Sequence, residues 1–337
     1  MSDILDLMRV REEPLSTAET ESLFDRIFEG KLSDEQLLAY LTATADRKPT
    51  VAEITGAARS MRNYMLPVDA PDDAIDLCGT GGDGHGTLNI STAVSFVVAG
   101  AGVPVAKHGN RAASSRSGAA DILEALGVRI GLEPQVASQV LADTGIVFLF
   151  AQTHHPSMKH VGAARAKIGR RTIFNLLGPL ASPARVTHQL VGIFAEEWLE
   201  PYAQTLAALG SSRAMVVHGR DGLDEVTTTD ITATAMLDGG RILRGQIAPE
   251  DAGLPRAGLA DLKGGGAREN AARLTALLAG EKTPYRDIVL LNAAAALMVA
   301  GRAKDILTGM QLASQALDSG AARAKLQALI AATNGLK

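Results

Sequence analysis

The stretch Gly79-Thr80-Gly81-Gly82-Asp83-Gly84 constrains this chain more than any other segment. It follows Ala74-Ile75-Asp76-Leu77-Cys78, a short apolar run that reads as a buried strand. Beyond Thr87-Leu88-Asn89-Ile90-Ser91-Thr92 comes Ala93 to Ala99, which reads as a helix. Glycines let a backbone turn tightly and approach a ligand without a side chain in between. A helix N-terminus beyond them adds N–H groups and positive dipole, which suits an anion, most often phosphate. Gly79, Gly81 and Gly84 also satisfy G-x-G-x-x-G, but the dinucleotide fingerprint needs a helix opening inside the glycines and an acid about 20 residues on. Here a polar loop follows, and Lys107 stands where the acid should be. On this segment alone, a glycine turn with no ligand remains open.

Two further segments strengthen the phosphate reading. Lys107-His108-Gly109-Asn110-Arg111-Ala112-Ala113-Ser114-Ser115 follows the β-branched run Val103 to Val105 and precedes a helical pattern from Ala119 to Leu126. This predicts a loop of cations, amide and hydroxyls where α/β sheets bind ligands. Ordinary surface charges at Lys107 and Arg111 are the competing reading. Ala214 to Gly219 reads as a strand, with Asp221, Asp224 and Glu225 just beyond it. Neighbouring carboxylates beside polyphosphate suit Mg²⁺, which takes one or two protein carboxylates and completes its shell with water and phosphate. The Asp224–Glu225 pair is expected to face solvent.

Together GTGGDG, TLNIST, KHGNRAASS and VVHGRDGLDE, with HHPSMKHV at 154–161 and RRTIFNLLGPL at 170–180, resemble the anthranilate phosphoribosyltransferase family. The motifs run in family order to beyond residue 225; the last hundred residues match in character only. The resemblance implies that Gly79, Gly82, Asp83, Thr87, Asn89, Ile90, Ser91 and Thr92 contact 5-phosphoribosyl 1-diphosphate. Lys107, His108, Gly109, Asn110, Arg111, Ala112, Ala113, Ser114 and Ser115 continue that site. Ala119 stands at its edge, where the family often carries Ser, so one hydroxyl contact is missing. It implies Mg²⁺ at Ser91, Asp224 and Glu225, with two ions per subunit. Gly79, Asn110 and Arg165 are implied for anthranilate, with His108 and His155 along its entry. A guanidinium at Arg165 matches a carboxylate bidentately, although Arg165, Lys167, Arg170 and Arg171 also read as one solvated helix face. No acid or base is assigned, because an aromatic amine displacing pyrophosphate from C1 needs no strong base, and the protein's tasks are orientation and charge stabilisation.

Composition is consistent with this. The chain has 337 residues and a net charge of −4, which argues against a general nucleic-acid surface. Its one cysteine, Cys78, allows no internal disulfide and fits a reducing, cytoplasmic setting. No signal-peptide pattern or membrane span is evident. Capping boxes at Ser16/Glu19, Ser33/Gln36 and Thr50/Glu53 mark a helical domain over 1–66. From 74 to 337 strands expected at 75–78, 103–106, 146–150, 189–194 and 213–218 alternate with helices, which predicts an α/β domain with a mainly parallel sheet. The resemblance places the active site in the cleft between the domains, a helical segment near 165–185 beside the first domain, and homodimerisation through that domain. No partner of nucleic acid or membrane is expected. Two other functions stay open: a pyrimidine nucleoside phosphorylase, which shares the fold and a Lys-His-Gly loop, and a relative that has lost catalysis and binds nucleic acid.

Overall fold

The computed structural model describes residues 10, 12–45, 47–112 and 116–335. Three helices come first: α1 (Thr17–Phe28), α2 (Asp34–Ala45) and α3 (Val51–Asn63). All three capping boxes form. The Ser16 and Thr50 N–H groups each donate to a Glu three residues on at 2.9 Å, and Ser33 N–H donates to Gln36 at 2.9 Å. Glu53 does more than cap, because its buried carboxylate also receives Arg47 Nη1 at 2.8 Å and Leu15 N–H at 3.1 Å.

Seven strands follow: β1 (Ile75–Gly79), β2 (Val105–Gly109), β3 (Ile146–Phe150), β4 (His188–Gly192), β5 (Arg213–Gly219), β6 (Thr232–Asp238) and β7 (Arg241–Ile247). They form a sheet in the order β3-β2-β1-β4-β5-β6-β7, parallel through β5 and antiparallel beyond it. The order reverses between β1 and β4, so a crevice opens beyond their C-terminal ends, where such sheets bind ligands. The glycine turn leaves β1 at that point.

Side chains alternate between two cores, as strand pleating requires. Leu190, Met215 and Val217 face one core, built mainly from α4 (Ile90–Gly100) and the late helices. Val191, Ala214 and Val216 face the other. This second core is shared with Leu23, Phe24, Ile27, Leu41 and Ile54 of the first three helices. It also takes in Ala164, Phe174, Leu177 and Leu180, so the segment 162–181 lies against the helical domain. Phe24 and Phe174 rings meet with centroids 5.4 Å apart. Among the described residues no helix is long and apolar enough to cross a membrane.

Strand β4 ends at Gly192, two residues before its expected end, β1 and β5 each run one residue further than expected, and β2 departs most from its expected bounds. β2 covers Val105–Gly109, not 103–106, because Gly102, at φ +86°, is still turning the chain out of α4. Lys107 and His108 are therefore strand residues paired with Phe148 and Leu149. They are 4% and 6% exposed, not loop residues in solvent.

Candidate active site

At the crevice the two central strands end in paired glycines, Gly79 and Gly192. Asp224 explains both. A Cβ at Gly79 would lie 2.5 Å from Asp224 Oδ2, and one at Gly192 would overlap the Asp224 carbonyl. The Asp224-Glu225 turn is thus seated directly on the strand ends. Gly81 N–H donates to Asp224 Oδ2 at 2.8 Å, and Thr80 N–H to the Gly192 carbonyl at 2.9 Å. Sequence reasoning misses Gly192, since an isolated glycine ending a strand carries no motif. Gly192→Ala is expected to displace residue 224 and abolish any Mg²⁺ dependence of turnover. Titrating activity against Mg²⁺ beside a thermal melt checks this, and wild-type Mg²⁺ dependence in the variant would refute it.

The acids are not free surface groups, contrary to expectation. Both are half-buried at the floor of the crevice. Burial, then repulsion from Asp83, raises the Asp224 pKa to about 6. Burial, then repulsion from Asp224, raises Glu225 to about 8, partly relieved by the Lys107 ammonium and the Ser91 N–H. Lys107 lies beneath them. Its Nζ donates to the Leu77 carbonyl and, at 3.2 Å, to Ser91 Oγ. This cation is held under the glycine turn by the strand, which accounts for a lysine in a buried position.

The donor set here, two carboxylates and a serine hydroxyl, is made of hard oxygens and suits Mg²⁺. Among the described residues no three His, Cys, Asp or Glu side chains converge on one point. A cation here would draw its remaining ligands from water or a bound polyphosphate. Crowding two half-buried acids together raises their affinity for protons, and a cation placed between them would offset the same repulsion.

Other expected residues divide into several groups. Gly82 and Asp83 lie on the turn, where Asp83 Oδ1 accepts the His85 N–H at 3.1 Å. Thr87 and Asn89 lie on the far side of the loop, and Ile90, Ser91 and Thr92 open α4. Ile90 is core, 2% exposed, so only its backbone is available to a ligand. Asn110 accepts the Arg111 N–H at 2.8 Å. The Arg111 guanidinium is engaged with Asp121 and Glu124, at 3.0 and 2.6 Å. Ala112 N–H donates to Asp121 at 3.0 Å, and Ala119 begins a helix whose flanking Gly118 N–H also reaches Asp121, at 2.8 Å. Ala113, Ser114 and Ser115 lie outside the described residues.

His108 and His155 are buried side by side, ring centroids 5.1 Å apart. His108 Nδ1 meets the Gly178 carbonyl at 3.2 Å, while His108 Nε2 has no partner among the described residues. Burial holds both rings neutral, with His155 lowered to about 4. Arg165 is half-buried over the Phe174 ring, 5.6 Å from its centroid. It has no carboxylate partner among the described residues, and burial lowers its pKa. Lys167 is exposed. The basic segment is therefore not one uniform solvated face. Arg171 is a site residue that its sequence neighbourhood does not reveal. It stacks on Phe194 at 4.2 Å and donates to the Gly82 carbonyl, clasping the glycine turn from the side of the helical domain.

The chain as a whole has counterparts among known proteins. The glycosyl transferase family a/b domain profile matches residues 71–323, and that of its helical bundle domain residues 2–65. An anthranilate phosphoribosyltransferase of Methylocella silvestris is 57% identical over 320 residues, 95% of this chain and 92% of that one. The crystal structure of the anthranilate phosphoribosyltransferase of Thermus thermophilus is 40% identical, with a TM-score of 0.92 over 97% of this chain and 99% of that one. The enzyme of Saccharomyces cerevisiae in complex with PRPP and Mg is 28% identical, with a TM-score of 0.89 over 99% of this chain and 97% of that one. With identity this high over nearly its whole length, and the strand ends built to seat Asp224, the chain belongs to the anthranilate phosphoribosyltransferase family.

Proposed function

We propose that this chain transfers the phosphoribosyl group of 5-phosphoribosyl 1-diphosphate to the amine of anthranilate, releasing pyrophosphate, as a step of tryptophan biosynthesis. The observation that carries the reading is the Asp224-Glu225 turn seated on Gly79 and Gly192, directly under the glycine cradle. In this reading the diphosphate lies over residues 79–92 and the loop from Lys107, and anthranilate enters past His108 and His155. Arg165 holds its carboxylate. Displacement at C1 builds positive charge on the sugar ring, much as in glycoside cleavage. The residues of this chain orient the amine and carbon and present N–H groups to the departing pyrophosphate. Mg²⁺ held by Ser91, Asp224 and Glu225, as two ions per subunit, would neutralise the leaving group's charge. A cytoplasmic homodimer formed through the helical domain belongs to the same reading.

The test is an assay of purified protein with anthranilate, 5-phosphoribosyl 1-diphosphate and Mg²⁺. Anthranilate fluorescence is expected to disappear only when all three are present. If it persists while thymidine or uridine is phosphorolysed, the chain is a nucleoside phosphorylase.

A further inference from the structure

Asn89 stands at the N-cap of α4, where an Asn side chain ordinarily accepts an N–H of its own helix. Here it makes no such bond. Its Oδ1 instead receives Asn270 Nδ2 at 2.9 Å, and its Nδ2 donates to the Ser117 carbonyl at 3.1 Å. Asn270, on the helix Ala267–Leu278, is 1% exposed and accepts the Gly265 N–H at 2.8 Å. The two ends of this relay fix its direction. A backbone N–H only donates and a carbonyl only accepts, so both amides have one permitted orientation.

The neighbouring backbone reinforces the relay. Leu88 N–H donates to the Leu262 carbonyl and Gly264 N–H to the Gly86 carbonyl, both at 2.9 Å, with Thr87 bridged to Lys263. A Cβ at Gly264 would come within 2.6 Å of the Thr87 carbonyl. Tyr285 hydroxyl donates to the Asn89 carbonyl at 3.3 Å. Residues 262–270 thus form the outer wall of the cradle.

The Ile90 N–H is already taken by the Leu88 carbonyl at 2.8 Å and the Ser91 N–H faces Glu225. We infer that Asn270 is a positioning residue for the phosphoribosyl diphosphate loop, holding the Asn89 side chain away from its own helix so that the remaining first-turn donor, the Thr92 N–H, stays uncapped for phosphate. The inference rests on the reading that residues 79–92 bind the diphosphate. Without Asn270, the Asn89 oxygen is free to cap α4 at the Thr92 N–H and compete with the ligand for that donor. Loss of Asn270 then weakens diphosphate binding chiefly through Asn89. An Asp at 270 still accepts the Gly265 N–H but has no donor for Asn89. Asn89 would have to flip, setting its oxygen against the Ser117 carbonyl.

The test is a double-mutant cycle read as the KM for 5-phosphoribosyl 1-diphosphate at saturating Mg²⁺ and anthranilate. Asn270→Ala is expected to raise that KM about fivefold or more, a typical capping effect, and Asn270→Asp at least as far. The anthranilate KM should stay within twofold. In an Asn89→Ala background, Asn270→Ala should change the diphosphate KM by less than twofold, because the competing oxygen is gone. Additive effects, or equal rises in both KM values, would make Asn270 an ordinary structural residue and overturn the inference. If the diphosphate with Mg²⁺ leaves hydrogen exchange at residues 86–92 unaltered, the reading of the loop falls and takes the inference with it.

Hydrogen exchange on the wild-type protein gives a second measure that needs no variant to fold. Adding the diphosphate with Mg²⁺ is expected to slow exchange at residues 262–266 together with 86–92. Protection of 86–92 with 262–266 unaltered would overturn the relay while leaving the loop's assignment standing.

Discussion

Replacing Asp224 with Asn and Glu225 with Gln is expected to cut turnover by roughly a thousandfold or more at ordinary Mg²⁺, since several kcal/mol of charge stabilisation at the leaving group go with the metal. The same double variant should make the ligand-free protein more stable at alkaline pH. Both acids have folded-state pKa values above their ordinary ones, about 6 and about 8, chiefly through burial. Between about pH 4 and pH 8 the folded protein therefore binds more protons than the unfolded chain at these sites, and stability falls as pH rises through that window. The amides carry no such dependence. Thermal melts without metal should place the variant above wild type at pH 8, with the gap closing toward pH 4. Mg²⁺ should raise the wild-type melting temperature and leave the variant's unchanged. Near-normal activity of the variant at low Mg²⁺, or a variant that melts lower at pH 8, would remove the acids from the metal site.

Arg165→Ala is expected to raise the anthranilate KM about 30-fold or more and to leave the diphosphate KM within a few-fold. Removing a shielded, charge-assisted bidentate contact costs on the order of 2–4 kcal/mol. The structure supplies the reasons to choose this arginine. Its guanidinium lies over Phe174, is half-buried, and has no carboxylate partner among the described residues. Lys167→Ala is the control, two residues on and exposed. Steady-state kinetics varying each substrate in turn decides the matter. Equal effects of both substitutions would return Arg165 to a general basic face.

The sequence makes some of this site legible and hides the rest for identifiable reasons. The glycine turn, the acids after β5 and the three capping boxes are readable because each depends on residues close together in the chain. Strand β2 is misplaced because Lys107 and His108 do not look like strand residues. They occupy one because Leu77, Ser91 and Asp76 supply partners across the sheet and turn. Gly192 and Asn270 leave no local signal, and Arg171, although it lies in the RRTIFNLLGPL segment, gives no sign there of what it meets. Gly192 is required by the Asp224 carbonyl, Arg171 meets Gly82 and Phe194, and Asn270 serves Asn89. Each is explained only by a residue distant in sequence. The Asp224–Glu225 environment is misjudged for a similar reason, since the crevice that half-buries the pair is assembled from strands far apart in the chain.

The shared second core bears on how the chain is made. Phe24, Ile27 and Ile54 emerge from the ribosome early, yet they pack in one cluster with Tyr202, Val216, Ala235 and Leu237. These helices cover one another in part, and the rest of their apolar faces is covered only once the segment 162–181 and the helix Leu199–Ala208 have been made. Contacts this distant close slowly, and uncovered apolar helices attract one another and chaperones in the interval. A nascent chain halted before residue 162 would carry these helices only partly covered, and the glycine segment without the Asp224 carboxylate that receives the Gly81 N–H.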